Sequence, residues 1–290
     1  MTGIQGSQPT RRLPSVLRNI GLGLAIVVAV SAPWSALVVL NVRLSPHVPW
    51  AIPAGIVYAC FSMLYLNGRG WPESTSAARR RSFRARPLVL TELRWALLAG
   101  LAAVASLWLL FAASGYLSAQ TPQRPQADLS PILLIGAVII GSAVAAISEE
   151  GGLRGFMQAP LERLVGPAPA IATTSLIFVL IHLTHGVAGL VRNGPFYLAA
   201  GCVYGLLAYL TQSILPSLVL HFLGDVLVFG LRSSIVHLSS PRAASTRAYL
   251  LLAALLAACF SGAAFVRLAR LTACKRPQRD PRAEDSPSIS

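Results

Sequence analysis

Three short stretches of the 290-residue chain hold the residue types that activate water: Ser148-Glu149-Glu150-Gly151-Gly152-Leu153-Arg154, Phe178-Val179-Leu180-Ile181-His182 and His221-Phe222-Leu223-Gly224-Asp225. Each lies in, or directly after, an apolar run, where an ionised or unpaired polar group is costly enough to be a functional hypothesis by default. On a helix, Glu150 and Arg154 stand at i,i+4 and share a face, so the arginine can hold that carboxylate ionised. Glu149 points about 100° away around the helix, free to face something else. Two acids in different environments are how one fold supplies an acid–base pair. Gly151, Gly152 and Gly155 allow another backbone to come close, as small residues do between packed membrane helices. His221 and Asp225 are also i,i+4, and a carboxylate can fix an imidazole's tautomer by accepting its N–H. His185 follows His182 by three residues but sits beside Gly186 near the expected helix end, and ranks below it.

Plainer readings exist for each stretch alone: two glutamates marking a membrane surface, a packed core histidine, a structural His–Asp pair. Together the stretches place Glu, Glu, His, His and Asp on three helices. A carboxylate can deprotonate a water and imidazoles can stabilise an oxyanion, or the same groups can bind zinc, which lowers the pKa of its water to about 7. No serine or cysteine has comparable company, which makes a covalent mechanism less attractive.

The elements that must position these groups follow from composition. The chain is 54% hydrophobic and 12% charged, with a mean hydropathy of +0.63. A soluble domain carries about 25% charged residues, so the sequence reads as an integral membrane protein. Apolar segments run roughly over 20–42, 49–66, 93–117, 131–148, 168–185, 196–215, 216–231 and 249–268. The expectation is an all-α polytopic protein of about eight transmembrane helices, bundled around a polar intramembrane cavity. Residues 1–92 supply two helices and a basic cytoplasmic loop, 93–271 the catalytic membrane domain, and 272–290 a disordered polar tail. The seven arginines of 67–94 read as a solvated loop. With the N-terminus in the cytoplasm, inside segments hold 18 of the 24 Lys and Arg and outside loops six, which places both termini inside. The net charge of +14 then reflects topology and anionic lipid rather than nucleic acid, for which no basic helix or aromatic platform is present. The four cysteines are scattered singly and read as small buried apolar residues. No internal repeat supports an inverted-repeat transporter. One geometric difficulty stands: at about 1.5 Å per residue, Glu149 lies near the inner end of the fourth helix and His182 roughly 20 Å along the fifth. They meet only if the fourth helix projects further, the fifth starts outside the bilayer, or one tilts.

The order Glu-Glu-x-x-x-Arg, Phe-x-x-x-His, His-x-x-x-Asp/Asn resembles the CPBP family of CAAX proteases and bacteriocin-processing enzymes, also called Abi. The similarity covers about residues 130–235, including the run from Gly205 to His221. The resemblance implies an eight-helix intramembrane endopeptidase, with Glu149 as the water-activating base, His182 and His221 as its partners, and Glu150 in support. Asp225 takes a place the family often gives to Asn. Zinc, where used, would be held by Glu149, His182 and His221; otherwise Glu149 activates a metal-free water. The implied partners are a peptide or protein substrate and membrane lipid. Two rival classes use the same residues: a non-catalytic immunity or scaffold protein, and a proton-coupled transporter with an acidic relay. The arginine- and alanine-rich composition and the absence of an organelle signal point to a bacterial plasma membrane.

Overall fold

The computed structural model describes residues 12–114, 131–232 and 244–273, and all regular structure among them is helical. In chain order the α-helices are α1 (Arg12–Leu44), α2 (Ala51–Leu66), α3 (Ser76–Phe83), α4 (Leu90–Ala113), α5 (Pro131–Glu149), α6 (Ala159–Val165), α7 (Pro167–Ile181), α8 (Val187–Thr211), α9 (Leu215–Arg232) and α10 (Ala244–Ala273). A π-helical segment, Glu150–Gln158, joins α5 to α6, and a 3₁₀ turn, His182–His185, follows α7. The last helix runs through Ala273; the rest of the tail expected to be disordered falls outside the described residues.

Among the described residues, six helical stretches are long and apolar enough to cross a bilayer: Leu13–Leu44, Leu90–Ala113, Pro131–Val165, Pro167–Thr184, Val187–Thr211 and Ser245–Ala273. The other two expected spans are the shorter apolar helices Ala51–Leu66 and Leu215–Gly230. At 16 residues α2 reaches about 24 Å, short of a hydrocarbon core of about 30 Å. The outward faces of the bundle are apolar: Leu251, Leu252, Leu255, Leu256 and Phe260 of α10 are all exposed. That pattern suits an integral membrane protein, whose helices satisfy their own backbone groups and meet lipid with their side chains. Cys60, Cys202 and Cys259 are on this exposed surface too, rather than buried as their setting suggested.

The stretch between the apolar segments 131–148 and 168–185 is not a loop. Helix continues from Pro131 to Val165 as one 35-residue stretch, and all nine residues of its π segment are buried. The helix that begins at Pro131 therefore projects beyond Glu149, the first of the three ways in which Glu149 and His182 could meet. Arg154 is therefore buried in helix and is not a loop cation. The glycines explain the local form. A Cβ on Gly152 would stand 2.6 Å from the carbonyl oxygen of Gly23, so α1 and the π segment touch backbone to backbone.

The arginine-rich stretch is likewise not a solvated loop. Phe83, at the end of α3, is completely buried in a cluster with Trp34, Leu66, Val144, Ile147, Phe156 and Ile214. It packs against Gly151, where a Cβ would come within 2.8 Å of its ring. Arg84 then takes a left-handed conformation (φ 56°) that ends α3, and Gln212 does the same (φ 52°) at the end of α8. The two ends are tied together. Ile214 N–H donates to the Arg84 carbonyl at 3.1 Å, Ser213 Oγ donates to the Arg86 carbonyl at 2.8 Å, and Arg86 donates to the Thr211 and Gln212 carbonyls at 2.6 and 3.0 Å. Arg79 lies over the Tyr65 ring at 4.0 Å and donates to the Gly70 carbonyl. This stretch thus clamps the π segment to the turn that launches α9.

Candidate active site

The π segment, α7, α8 and α9 bring the three motifs to one place. Glu150 is fully buried, and its Oε1 is 3.2 Å from Arg154 Nη1, the pair that i,i+4 spacing predicts. This is an ion pair rather than an aligned hydrogen bond, since Nη1 has no hydrogen-bond partner among the described residues. Arg154 is also fully buried; its Nη2 donates to the Gly201 carbonyl at 3.3 Å, and its guanidinium lies 4.7 Å from the Phe178 ring centroid and 5.6 Å from that of Tyr204. A buried guanidinium is tolerable here because a carboxylate, a carbonyl and two ring faces surround it.

His221 is the meeting point. Its Nδ1–H donates to Glu150 Oε1 at 2.8 Å. Its Nε2 lies 3.6 Å from Asp225 Oδ2 and 3.9 Å from Glu149 Oε2. The expectation that Asp225 fixes the tautomer of His221 is thereby revised: Glu150 holds the ring by Nδ1, and Asp225 stands on the opposite nitrogen. Both Nε2 separations are too long for a direct hydrogen bond. His182 Nδ1–H donates to the Phe178 carbonyl at 2.7 Å, which leaves Nε2 as its only other ring nitrogen. Phe178 wedges between the imidazoles, edge-on to both, with centroids 4.9 Å from His182 and 5.7 Å from His221.

A cavity of about 740 Å³ opens beside these groups, lined by Glu149, His182, His221 and Asp225 and by apolar side chains of α1, α4 and α9. Arg154 and Glu150 stand behind its wall. Of the six motif residues, the structure therefore brings four to the cavity and two to the layer that supports them. Glu149 Oε2 is buried and has no hydrogen-bond partner among the described residues. Zinc finds no ready cage: no group of three His, Cys, Asp or Glu side chains among the described residues is placed to hold one ion.

Two aromatic residues escaped the motif reading. Tyr204, almost fully buried, stacks on His221 with centroids 5.3 Å apart and planes 15° apart. Tyr197 stacks on His182 at 3.9 Å. In a membrane sequence a tyrosine reads as an interfacial anchor, and nothing local marks these two as ring supports. A signal was present in the small residues nearby. Gly201 and Gly205 form a small-xxx-small pair on α8, and their carbonyls accept from Arg154 and from Gln158 (2.8 Å) respectively.

Residues 131–227, about a third of the chain, match the model of a protein family described as Type II CAAX prenyl endopeptidase Rce1-like. The matched segment contains all three motifs, and the match agrees with the family resemblance they carry. No curated protein and no solved structure matches the chain.

Proposed function

We propose, from the likeness of residues 131–227 to a CAAX prenyl endopeptidase family, that the chain hydrolyses peptide bonds of a membrane-associated protein or peptide, with Glu149 activating the attacking water. The observation that carries this reading is Glu149 Oε2, a buried carboxylate oxygen at the cavity that has no hydrogen-bond partner among the described residues and lies 3.9 Å from His221 Nε2. A water bound in the cavity beside Glu149 gives its proton to that carboxylate as its oxygen adds to the carbonyl carbon of the substrate. His182, with Nδ1 committed to the Phe178 carbonyl, accepts from the same water through Nε2 and orients it. His221, both of whose nitrogens face carboxylates, donates from Nε2 to the oxyanion that forms. Glu150 and Arg154 hold the His221 ring in place. Glu149 then passes its proton to the amide nitrogen, the C–N bond breaks, and a carboxylic acid and an amine leave, the acid giving its proton to solvent or to the amine. The apolar wall of the cavity suits a substrate segment that is itself apolar.

The test uses the full chain in detergent, incubated with membrane-derived peptides, with products identified by mass. Each assay is repeated with a chelator and with added zinc. New termini that appear with the wild-type chain support the reading, and unchanged rates under chelation support a metal-free water on Glu149. Loss on chelation with rescue by zinc would instead assign a metal to Glu149, His182 and His221. A folded chain that cleaves no peptide would overturn the reading.

A further inference from the structure

On the side of the bundle that carries the arginine-rich stretch lies a second cavity of about 1170 Å³. Six arginines line it, Arg69, Arg80, Arg81, Arg84, Arg86 and Arg163, against two carboxylates, Glu92 and Glu162. Two of the arginines are spent inside the protein. Arg84 pairs with Glu162 at 3.2 Å and donates to the Ala208 carbonyl, and Arg86 donates to the two carbonyls at the end of α8. The other four, Arg69, Arg80, Arg81 and Arg163, are exposed, and their side chains make no hydrogen bond or ion pair among the described residues. Four uncommitted cations facing one concavity repel one another unless an anion lies between them.

The position of the cavity narrows the choice of anion. Its walls are helix ends: Asn67 after α2, the Gly166–Pro167 turn between α6 and α7, Gln212 after α8 and Thr272 near the end of α10. Spanning helices end where hydrocarbon gives way to headgroups, so the cavity sits at headgroup depth, beside apolar helix flanks that acyl chains can follow. Guanidinium forks match phosphate oxygens in pairs, which an ammonium cannot do.

We propose that this cavity binds the phosphate group of an anionic phospholipid. The proposal is independent of the catalytic reading, since no motif residue lines this cavity. Purified chain in a neutral detergent is titrated with phosphatidylglycerol, with phosphatidylcholine and with inorganic phosphate, and adducts are counted by native mass spectrometry. Phosphatidylglycerol should bind at least about tenfold better than phosphatidylcholine, and Arg80→Gln/Arg81→Gln/Arg163→Gln should lose about tenfold or more of that binding. The three replaced arginines have no internal partners, so the variant should fold; Arg43→Gln, in the last turn of α1 outside this cavity, should bind as the wild type does. Equal binding of the two lipids by the wild-type chain overturns the proposal without any variant. So does full binding by the triple variant. Inorganic phosphate that displaces the lipid at equal concentration would show a free-anion site instead, and displacement by an acidic peptide a protein-docking one.

Discussion

Arg154 carries the most consequence for stability among the motif residues. It is fully buried, it is the ion-pair partner of Glu150, and it touches the faces of Phe178 and Tyr204. Arg154→Ala leaves a buried carboxylate without its cation, which costs about 3–5 kcal/mol. Thermal unfolding in detergent should show a large loss, with Arg154→Lys between the two because the planar fork is gone. Wild-type stability of Arg154→Ala would remove this arginine from the support of the site. The imidazoles should answer in rate rather than stability. His182→Ala or His221→Ala should lower kcat by about 10²-fold or more, the usual scale for loss of one oxyanion donor. Asp225→Asn keeps a polar side chain at His221 Nε2 and should retain substantial activity, whereas Asp225→Ala should not. A dead Asp225→Asn would mean that the charge at that position matters, and not only its hydrogen bonding.

At the scale of elements, the site depends on a clamp that is remote from it in sequence. Phe83 sits under Gly151, and the residues after it are bonded to the turn before α9, so one short stretch sets the distance between the glutamates and His221. Phe83→Ala should cost about 3–5 kcal/mol as a buried aromatic removed from a core. Gly151→Ala overpacks against the Phe83 ring and should cost about 1–3 kcal/mol alone, but much less in a Phe83→Ala background. Gly152→Ala meets the backbone of Gly23 instead, and Phe83→Ala should not relieve it. Equal coupling of both glycines to Phe83 in a double-mutant cycle would contradict this packing.

What was legible in the sequence divides along the same line. Glu150–Arg154 could be read because both partners lie on one helix at a fixed spacing, and the three motifs stood out because polar groups are rare in apolar runs. The bond from Glu150 to His221 spans 71 residues and exists only because helix continues past Glu149. Three glycines and an arginine in five residues look like a loop, and only the surrounding backbones make them a buried π segment. Phe83 was hidden by its neighbours, for a lone aromatic among arginines gives no periodicity by which to infer burial.

For the molecule as a whole, the distribution of arginines bears on which way it faces. We propose both termini in the cytoplasm, on the strength of the arginine asymmetry. A reporter fused after residue 80 should be cytoplasmic and one fused near residue 125 external. The opposite labelling would invert the bundle and place the arginine-lined cavity on the outer leaflet. The catalytic geometry does not depend on this result, because Glu149, His182, His221 and Asp225 line one cavity within the bundle whichever way it is inserted.

The central claim is that Glu149 activates the water that cleaves a peptide bond. Glu149→Gln changes one oxygen to an amide, removes the base, and leaves the Glu150–Arg154 pair and the Glu150–His221 bond in place. With a substrate peptide found by the cleavage screen, the measurement is product formation by wild type and Glu149→Gln, each checked for folding and for substrate binding. The account predicts a folded variant that still binds the peptide and forms no product above background. A Glu149→Gln chain that cleaves at the wild-type rate would contradict it.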